Sequence, residues 1–219
     1  MTANLTKGRP PATGRGHLFV VSAPSGAGKT SLIRRLVDAD DSLTVSVSHT
    51  TRPKRAGEID GEHYHFVDHG AFNVLRAAGE FLEWAQVFDN AYGTSRQAVE
   101  TGLEAGRDVV LEIDWQGAAQ VREGWPGAVS IFVLPPSREA LMERLTGRGQ
   151  DSPEVIGKRV RQAVADMSHH AEFDHTMVND DFGDAVCQLE RIIQATREGS
   201  TIPEVDHSAL LRELLASDA

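Results

Sequence analysis

The run Ala23-Pro24-Ser25-Gly26-Ala27-Gly28-Lys29-Thr30 combines residue types that suit the binding of a polyphosphate. Gly26 and Gly28 let the backbone turn so that successive N–H groups face an anion. A helix starting near Thr30 would add its positive N-terminal end. Lys29 can reach β- and γ-phosphates, and the Thr30 hydroxyl can ligate Mg2+. The run follows the apolar residues 18–21 and precedes Leu32, Ile33, Leu36 and Val37 at helical spacing, which is the strand–loop–helix context of a P-loop. Ala23 stands where the first glycine of that pattern usually falls, and the general pattern tolerates alanine there.

A second set of residues suits a phosphorylated purine. Arg52 and Arg55 can clamp a phosphate with forked donors, and the hydroxyls of Tyr64 and Tyr92 can add to the same group. Glu83 sits on an apolar strand-like run beside Trp84. Guanine presents N1–H and N2–H2 side by side, and one carboxylate can accept both. Adenine presents a bare acceptor at N1 and would face that carboxylate badly. Ser48 and Thr94 hydroxyls can donate to guanine O6. The strand-like residues 109–113 end in carboxylates, and Glu112 and Asp114 point to one face because side chains alternate. One acid can hold Mg2+ through water while the other orients the arginine clamp or binds the phosphorylated ligand, with the roles undivided at this stage. Arg144 and Arg148 are four apart on a helical pattern, residues 147–153 interrupt it, and Lys158, Arg159 and Arg161 follow in the next helix. Two arginine-bearing helices joined through glycines suit a lid over a triphosphate.

The elements that must position these groups read as an α/β chain. Strand-like runs at 18–21, 43–47, 109–113, 131–134 and 176–178 are separated by helical patterns. One helix carries Val99 and Leu103, one starts at the N-cap candidate Ser137, one starts at Ser152-Pro153, and one carries Val186, Leu189, Ile192 and Ile193. That alternation predicts a three-layer fold with a mainly parallel core sheet. Residues 49–100 break the rhythm and read as an inserted lobe. His63 and His65 are expected to share a strand face, and with the pair His169-His170 they read as structural or surface histidines.

The 219-residue chain carries 22 basic and 32 acidic side chains, a formal charge of −10, with 40% hydrophobic and 25% charged residues. Such a balance suits a globular protein and argues against broad binding to nucleic acid or to anionic membranes. Cys187 is the only cysteine, which fits a reducing, cytoplasmic setting. No Asn-Lys-x-Asp motif of switch GTPases occurs, the run Asn179-Asp180-Asp181 included.

Several segments together carry a family resemblance: residues 48–58 (SHTTRPKRAGE), 61–66 (GEHYHF), 81–85 (FLEWA) and 92–95 (YGTS), beside the phosphate loop. In order and spacing they resemble the guanylate kinases, nucleoside monophosphate kinases of the P-loop class. The resemblance runs from about residue 17 to 199. It implies a P-loop kinase fold with a GMP-binding lobe at about 49–100 and a helical lid at about 144–175. Residues 1–16 read as a disordered arm and 200–219 as a tail with a short helix. The implied reaction is ATP + GMP = ADP + GDP, in guanine nucleotide metabolism, with Mg2+, with the two nucleotides as substrates, and with no nucleic acid or membrane as partner. Residues 23–30 would hold ATP, and Asn179 would lie near its adenine. Ser48, Glu83 and Thr94 would read the base, Arg52, Arg55, Tyr64 and Tyr92 would hold the GMP phosphate, and Asp114 would also bind GMP. Lys29, Arg55, Arg148 and Arg159 would act on the transferring phosphoryl group. Lobe closure would align the two phosphates and exclude water. Two rivals remain at this stage. One is a kinase for another nucleotide, against which Glu83 argues. The other is a non-catalytic module of the same fold, against which the complete phosphate-binding set argues.

Overall fold

Residues 18–21 are apolar without a break, and they open β1 (Leu18–Ser22), which is buried at all five positions. Strands of this kind belong to sheets covered on both faces. The computed structural model describes residues 14–87, 89–147 and 153–216. They divide into two units. One runs to Val20 and resumes over Ala39–Ala128; the other holds Val21–Asp38 and continues from Val129. The fold is α/β with a mainly parallel core sheet, as the alternation predicts.

In the first unit β7 (Asp108–Glu112) lies between β1 and β2 (Leu43–Val45), and β2 and β7 run parallel with Leu43 opposite Asp108. Helix α3 (Arg96–Glu104) covers β7 with Val99 and Leu103. Gly102 permits the contact, because a Cβ there would stand 2.8 Å from Val109 Cγ2. Helix α4 (Trp115–Gly124) follows β7 directly. The last residues assigned to the arm are tied down. Gly16 N–H donates to Leu103 O at 2.8 Å, and the Arg15 guanidinium lies 4.9 Å from the Trp125 ring centre. His17 N–H donates to the buried Asp108 carboxylate at 2.7 Å.

The break in rhythm at 49–100 corresponds to a second sheet. It has the order β4-β3-β6-β5, formed by β3 (His49–Thr50), β4 (His65–Phe66), β5 (Phe81–Val87) and β6 (Asn90–Ser95). Helix α2 (His69–Ala77) packs Phe72 against Phe81 with ring centres 4.7 Å apart, and Ala91, Val67 and Leu75 complete this small core. The shared strand face expected for His63 and His65 does not form. β4 contains only His65 and Phe66, and His63 lies in the preceding turn, where its Nδ1 accepts the Ile59 N–H at 3.1 Å.

In the second unit β8 (Val129–Leu134) lies between β1 and β9 (His175–Val178), parallel to β9 with Ile131 opposite His175. Helix α1 (Lys29–Val37) contacts α7 (Phe182–Glu198), and α5 (Arg138–Thr146) contacts α6 (Pro153–Met167). Pro153 opens α6 as expected, while Ser152 lies outside the described residues. The helix expected in the tail is α8 (Ser208–Leu214). It is fastened by the fully buried Leu214, by Arg138 donating to the carbonyls of Leu214 and Ala216, and by the His207 ring against Thr176 O. Asp68, Ser95, Asp114, Ser137 and Asp181 each cap a helix by accepting the N–H three residues on. Among the described residues no helix is long and apolar enough to cross a membrane.

Phe132 is fully buried and meets Phe173 edge-on at 5.0 Å. Phe132→Ala should lower stability by about 3–5 kcal/mol through lost transfer energy and the cavity left behind. The denaturant midpoint, read with the m-value held constant, checks this.

Candidate functional site

The loop of residues 23–30 lies in the second unit. Residues 23–28 join β1 to α1, and Gly26 (φ 95°) and Gly28 (φ 94°) both take left-handed conformations that other residues resist. Space is short as well. A Cβ on Gly26 would stand 3.0 Å from Leu141 Cδ1 and 3.1 Å from Leu145 Cγ, and one on Gly28 would stand 2.4 Å from Asn179 Nδ2. The loop is therefore seated on α5 and on Asn179. Lys29 and Thr30 form the first turn of α1, where backbone N–H groups lack intrahelical partners and favour an anion.

Asn179 follows β9 and is 5% exposed. Its Nδ2 donates to Ala27 O at 2.7 Å, its N–H donates to Leu134 O, and its carbonyl accepts from Arg144 Nη2 at 3.0 Å. The described contacts of the residue expected near an adenine are thus with the loop backbone. Arg144, grouped by spacing with the lid, is engaged in the same bracing. Arg159 is half-buried on α6, and Lys158 pairs with Glu154 at 3.9 Å. Arg148 lies outside the described residues.

Ser48, Arg52, Tyr64, Glu83, Tyr92 and Thr94 all lie in the first unit. Pairing of β5 with β6 shifts between Phe81↔Ser95 and Glu83↔Thr94, so one strand carries an extra residue. Such a bulge changes which face following side chains take. Phe81 points toward Phe72 and His49, whereas Glu83 points to the other face, toward Thr94. Regular alternation would have put Phe81 and Glu83 on one face. Glu83 is 3% exposed, and Thr94 Oγ1 donates to its Oε1 at 2.5 Å. Ser48 Oγ lies 3.1 Å from Thr94 Oγ1. Because Thr94 has a single proton and gives it to Glu83, Ser48 is the donor, and a chain runs Ser48→Thr94→Glu83. Donation from Thr94 to a base oxygen requires that proton to turn away from Glu83.

At the other end of this face Arg52 forms a fork with Glu58, with Nη2 to Oε1 at 2.6 Å and Nη1 to Oε2 at 3.1 Å, and Nη1 also reaches Pro53 O. Its guanidinium lies over Tyr64 and Phe66 at 5.5 and 5.7 Å. The fork holds Glu58 below the usual carboxylate range and raises Arg52 further. Glu58 also accepts the Arg55 N–H at 2.7 Å. Tyr64 and Tyr92 meet edge-on at 5.9 Å. Burial first, then the charge of Glu112, pushes the Tyr64 phenol up to about 12, so it stays a neutral donor. Asp114 caps α4, accepting from Gly117 N–H at 2.9 Å and from Gln116 Nε2. The two carboxylates are therefore distinguished: the charge of Glu112 acts on Tyr64, and Asp114 organises a helix. Behind the sheet His49 stacks on His65 at 4.7 Å, and burial followed by the neighbouring His65 lowers its pKa.

Sequence reasoning gave Glu58 no role, although an acid closing a run of basic residues is a signal for a fork. It also assigned nothing to Gln120, whose contacts with β5 depend on a helix-to-edge packing that no local pattern announces.

A family model described as guanylate kinase matches residues 15–196. The guanylate kinase of Alkalilimnicola ehrlichii is 58% identical over 200 residues, covering 91% of this chain and 98% of that protein. That of Escherichia coli (strain K12) is 54% identical over 204 residues, covering 92% and 99%. The crystal structure of guanylate kinase from Anaplasma phagocytophilum superposes with a TM-score of 0.70 at 33% identity, covering 91% of this chain and 95% of the other.

The Tyr64 phenol has a testable signature. Its proton is held more tightly in the folded chain, near 12, than in the unfolded one, near 10. Between those values the unfolded state loses the proton first, so stability falls as pH rises through the window. Tyr64→Phe should flatten this alkaline decline, which melting temperatures measured at about pH 9 and about pH 11 on both proteins will show.

Proposed function

The chain belongs to the guanylate kinase family and catalyses the ATP-dependent phosphorylation of GMP to GDP, and on that premise we propose how its residues divide the reaction. A phosphate oxygen of GMP attacks the γ-phosphorus of ATP, and the bond to the β,γ-bridging oxygen breaks, leaving ADP. The protein's work in such a transfer is positioning and charge neutralisation, with no covalent intermediate.

Residues 23–30 hold the ATP phosphates. The left-handed turns at Gly26 and Gly28 support backbone N–H donation there, and Lys29 at the first position of α1 supplies the mobile charge. Thr30, exposed in the same turn, offers the hard oxygen that Mg2+ accepts beside phosphate oxygens. When bound, Mg2+ supplies charge neutralisation on the phosphates. Asn179 supports the ATP site from below, through Ala27. Arg55, Arg148 and Arg159 neutralise the transferring group in the manner of cis arginine fingers. Arg52, Tyr64 and Tyr92, with Arg55, hold the GMP phosphate, and Glu58 keeps the Arg52 fork oriented. Asp114 acts through α4. We assign the acceptor lobe to about residues 49–100 and the lid to about 144–175. A cytoplasmic setting is supported by the lone Cys187.

The observation that carries this reading is the buried Glu83 carboxylate on the acceptor face, joined to Thr94 and Ser48. It suits the paired N1–H and N2–H2 donors of guanine. Glu83→Gln replaces one acceptor oxygen by a donor, so kcat/KM for GMP should fall by about 10²-fold or more while the penalty against AMP shrinks. Steady-state kinetics with both nucleotides measure this, and an unchanged GMP-to-AMP ratio would remove the assignment. Lys29→Met should lower turnover by at least about 10²-fold with circular dichroism and melting temperature retained. Turnover near that of the unsubstituted enzyme would show that the loop lysine does not act on transition-state charge.

A further inference from the structure

Strand β5 is an edge of its sheet, so the outward N–H and C=O groups there need partners. At Trp84 both are satisfied by one side chain. Gln120 Oε1 accepts the Trp84 N–H at 3.1 Å, and Gln120 Nε2 donates to Trp84 O at 2.7 Å. The amide stands in for the peptide of one more strand, and it does so at the residue next to Glu83. A further bond from Gln120 Nε2 to Gln116 O, at 3.4 Å, ties the amide to its own helix.

One turn earlier on the same face of α4 is Gly117, buried in the first helical turn. Its N–H is fixed by the Asp114 cap. A Cβ there would stand 2.4 Å from Glu83 Oε2, 3.0 Å from Glu83 Cδ and 3.4 Å from Asp114 Oδ1. The carboxylate thus occupies the space that a side chain would fill. Glycine is a poor helix former, and this contact is a local reason for its presence inside α4. The first turn of a helix also carries partial positive charge suited to a carboxylate. Glu83 is then located at both oxygens, Oε1 by Thr94 and Oε2 by the backbone of α4.

We propose that α4 is the device that aims the base-reading carboxylate, with Gly117 and Gln120 as specificity-positioning residues that touch Glu83 or its strand but not the nucleotide. Gly117 sets the rotamer of Glu83 by leaving room for Oε2. Gln120 sets the height and direction of the strand at the adjoining residue. The inference rests on the reading of Glu83 as the group that accepts from guanine.

The test uses the full chain and the nucleotides GMP and IMP, which differ by the N2 amino group. For the unsubstituted enzyme, Glu83→Gln, Gly117→Ala, Gln120→Met and the double variant Glu83→Gln/Gly117→Ala, kcat/KM is measured for both nucleotides, together with KM for ATP and the melting temperature. Gly117→Ala should lower kcat/KM for GMP about 10²-fold, mainly through KM for GMP, and shrink the GMP-to-IMP ratio toward that of Glu83→Gln. Gln120→Met keeps length and helix preference without the amide, and should lower it about 10-fold in the same sense. KM for ATP should hold in both. In the Glu83→Gln background, Gly117→Ala should no longer change the ratio, because the group it acts through has gone. A purely structural role would lower melting temperature and turnover while leaving the ratio intact. If both single variants keep the original GMP-to-IMP ratio while Glu83→Gln loses it, α4 does not aim the carboxylate and the reading of Glu83 stands. If Glu83→Gln itself keeps the ratio, the reading of Glu83 fails and this inference falls with it. Persistence of the full Gly117→Ala effect in the double variant also overturns the proposal.

Discussion

A carboxylate withdrawn from water must be given partners, and Glu83 imposes that requirement on the β4-β3-β6-β5 sheet. Its Oε1 takes the Thr94 proton, Thr94 in turn is served by Ser48, and its Oε2 lies against a glycine of α4. The bulge in β5 belongs to the same solution. It lets Phe81 enter the apolar cluster under α2 while Glu83, two residues on, faces the opposite side. An unpaired buried carboxylate would be protonated or would unfold the strand. A paired one is a fixed acceptor whose direction is known before a nucleotide arrives, which is the form of preorganisation that discriminates between bases.

The phosphate loop solves a different problem by related means. Two left-handed glycines create the concavity, but conformational freedom alone does not hold a loop in one shape. Asn179 from the end of β9 and Leu141 and Leu145 from α5 supply the support, and they approach closely enough that any side chain on Gly26 or Gly28 would collide with them. Arg144 holds Asn179 in turn. The glycines are thus required twice, for φ and for space.

Much of this was legible in the sequence. The strand–loop–helix around residues 18–37, the cap at Ser137, the proline at the start of α6 and the helix in the tail all follow from local rules, and local rules are what a single chain displays. The residues proposed to read the base and hold the phosphates were chosen by their types and by family resemblance. What escaped was non-local. The spacing of Phe81 and Glu83 implies one shared face, and only the register shift against β6 separates them. Asn179 became a brace because β9 ends beside the loop, and Glu58 became the partner of Arg52 because the turn after Arg55 brings it back. Arg15 and Gly16 look solvated by composition, yet Trp125 and the end of α3 hold them. Each miss is a contact between segments distant in sequence, or across a turn whose closure composition does not specify.

The sheet that carries Glu83 has a further property that follows from the direction of its displaced ionisations. Arg52 and the Tyr64 phenol are moved upward, Glu58 and His49 downward, so all four are driven away from neutrality. Arg52 stays cationic, Glu58 anionic and Tyr64 uncharged across the acidity range in which cells operate, while burial and the neighbouring His65 favour the uncharged form of His49. The second ionisation of a phosphate monoester, near pH 6, does fall in that range. In the interplay of Arg52, Glu58 and Tyr64 with a nucleotide monophosphate, the proton that responds to a change of medium is therefore carried by the ligand, and these three groups present a constant charge against which the nucleotide titrates.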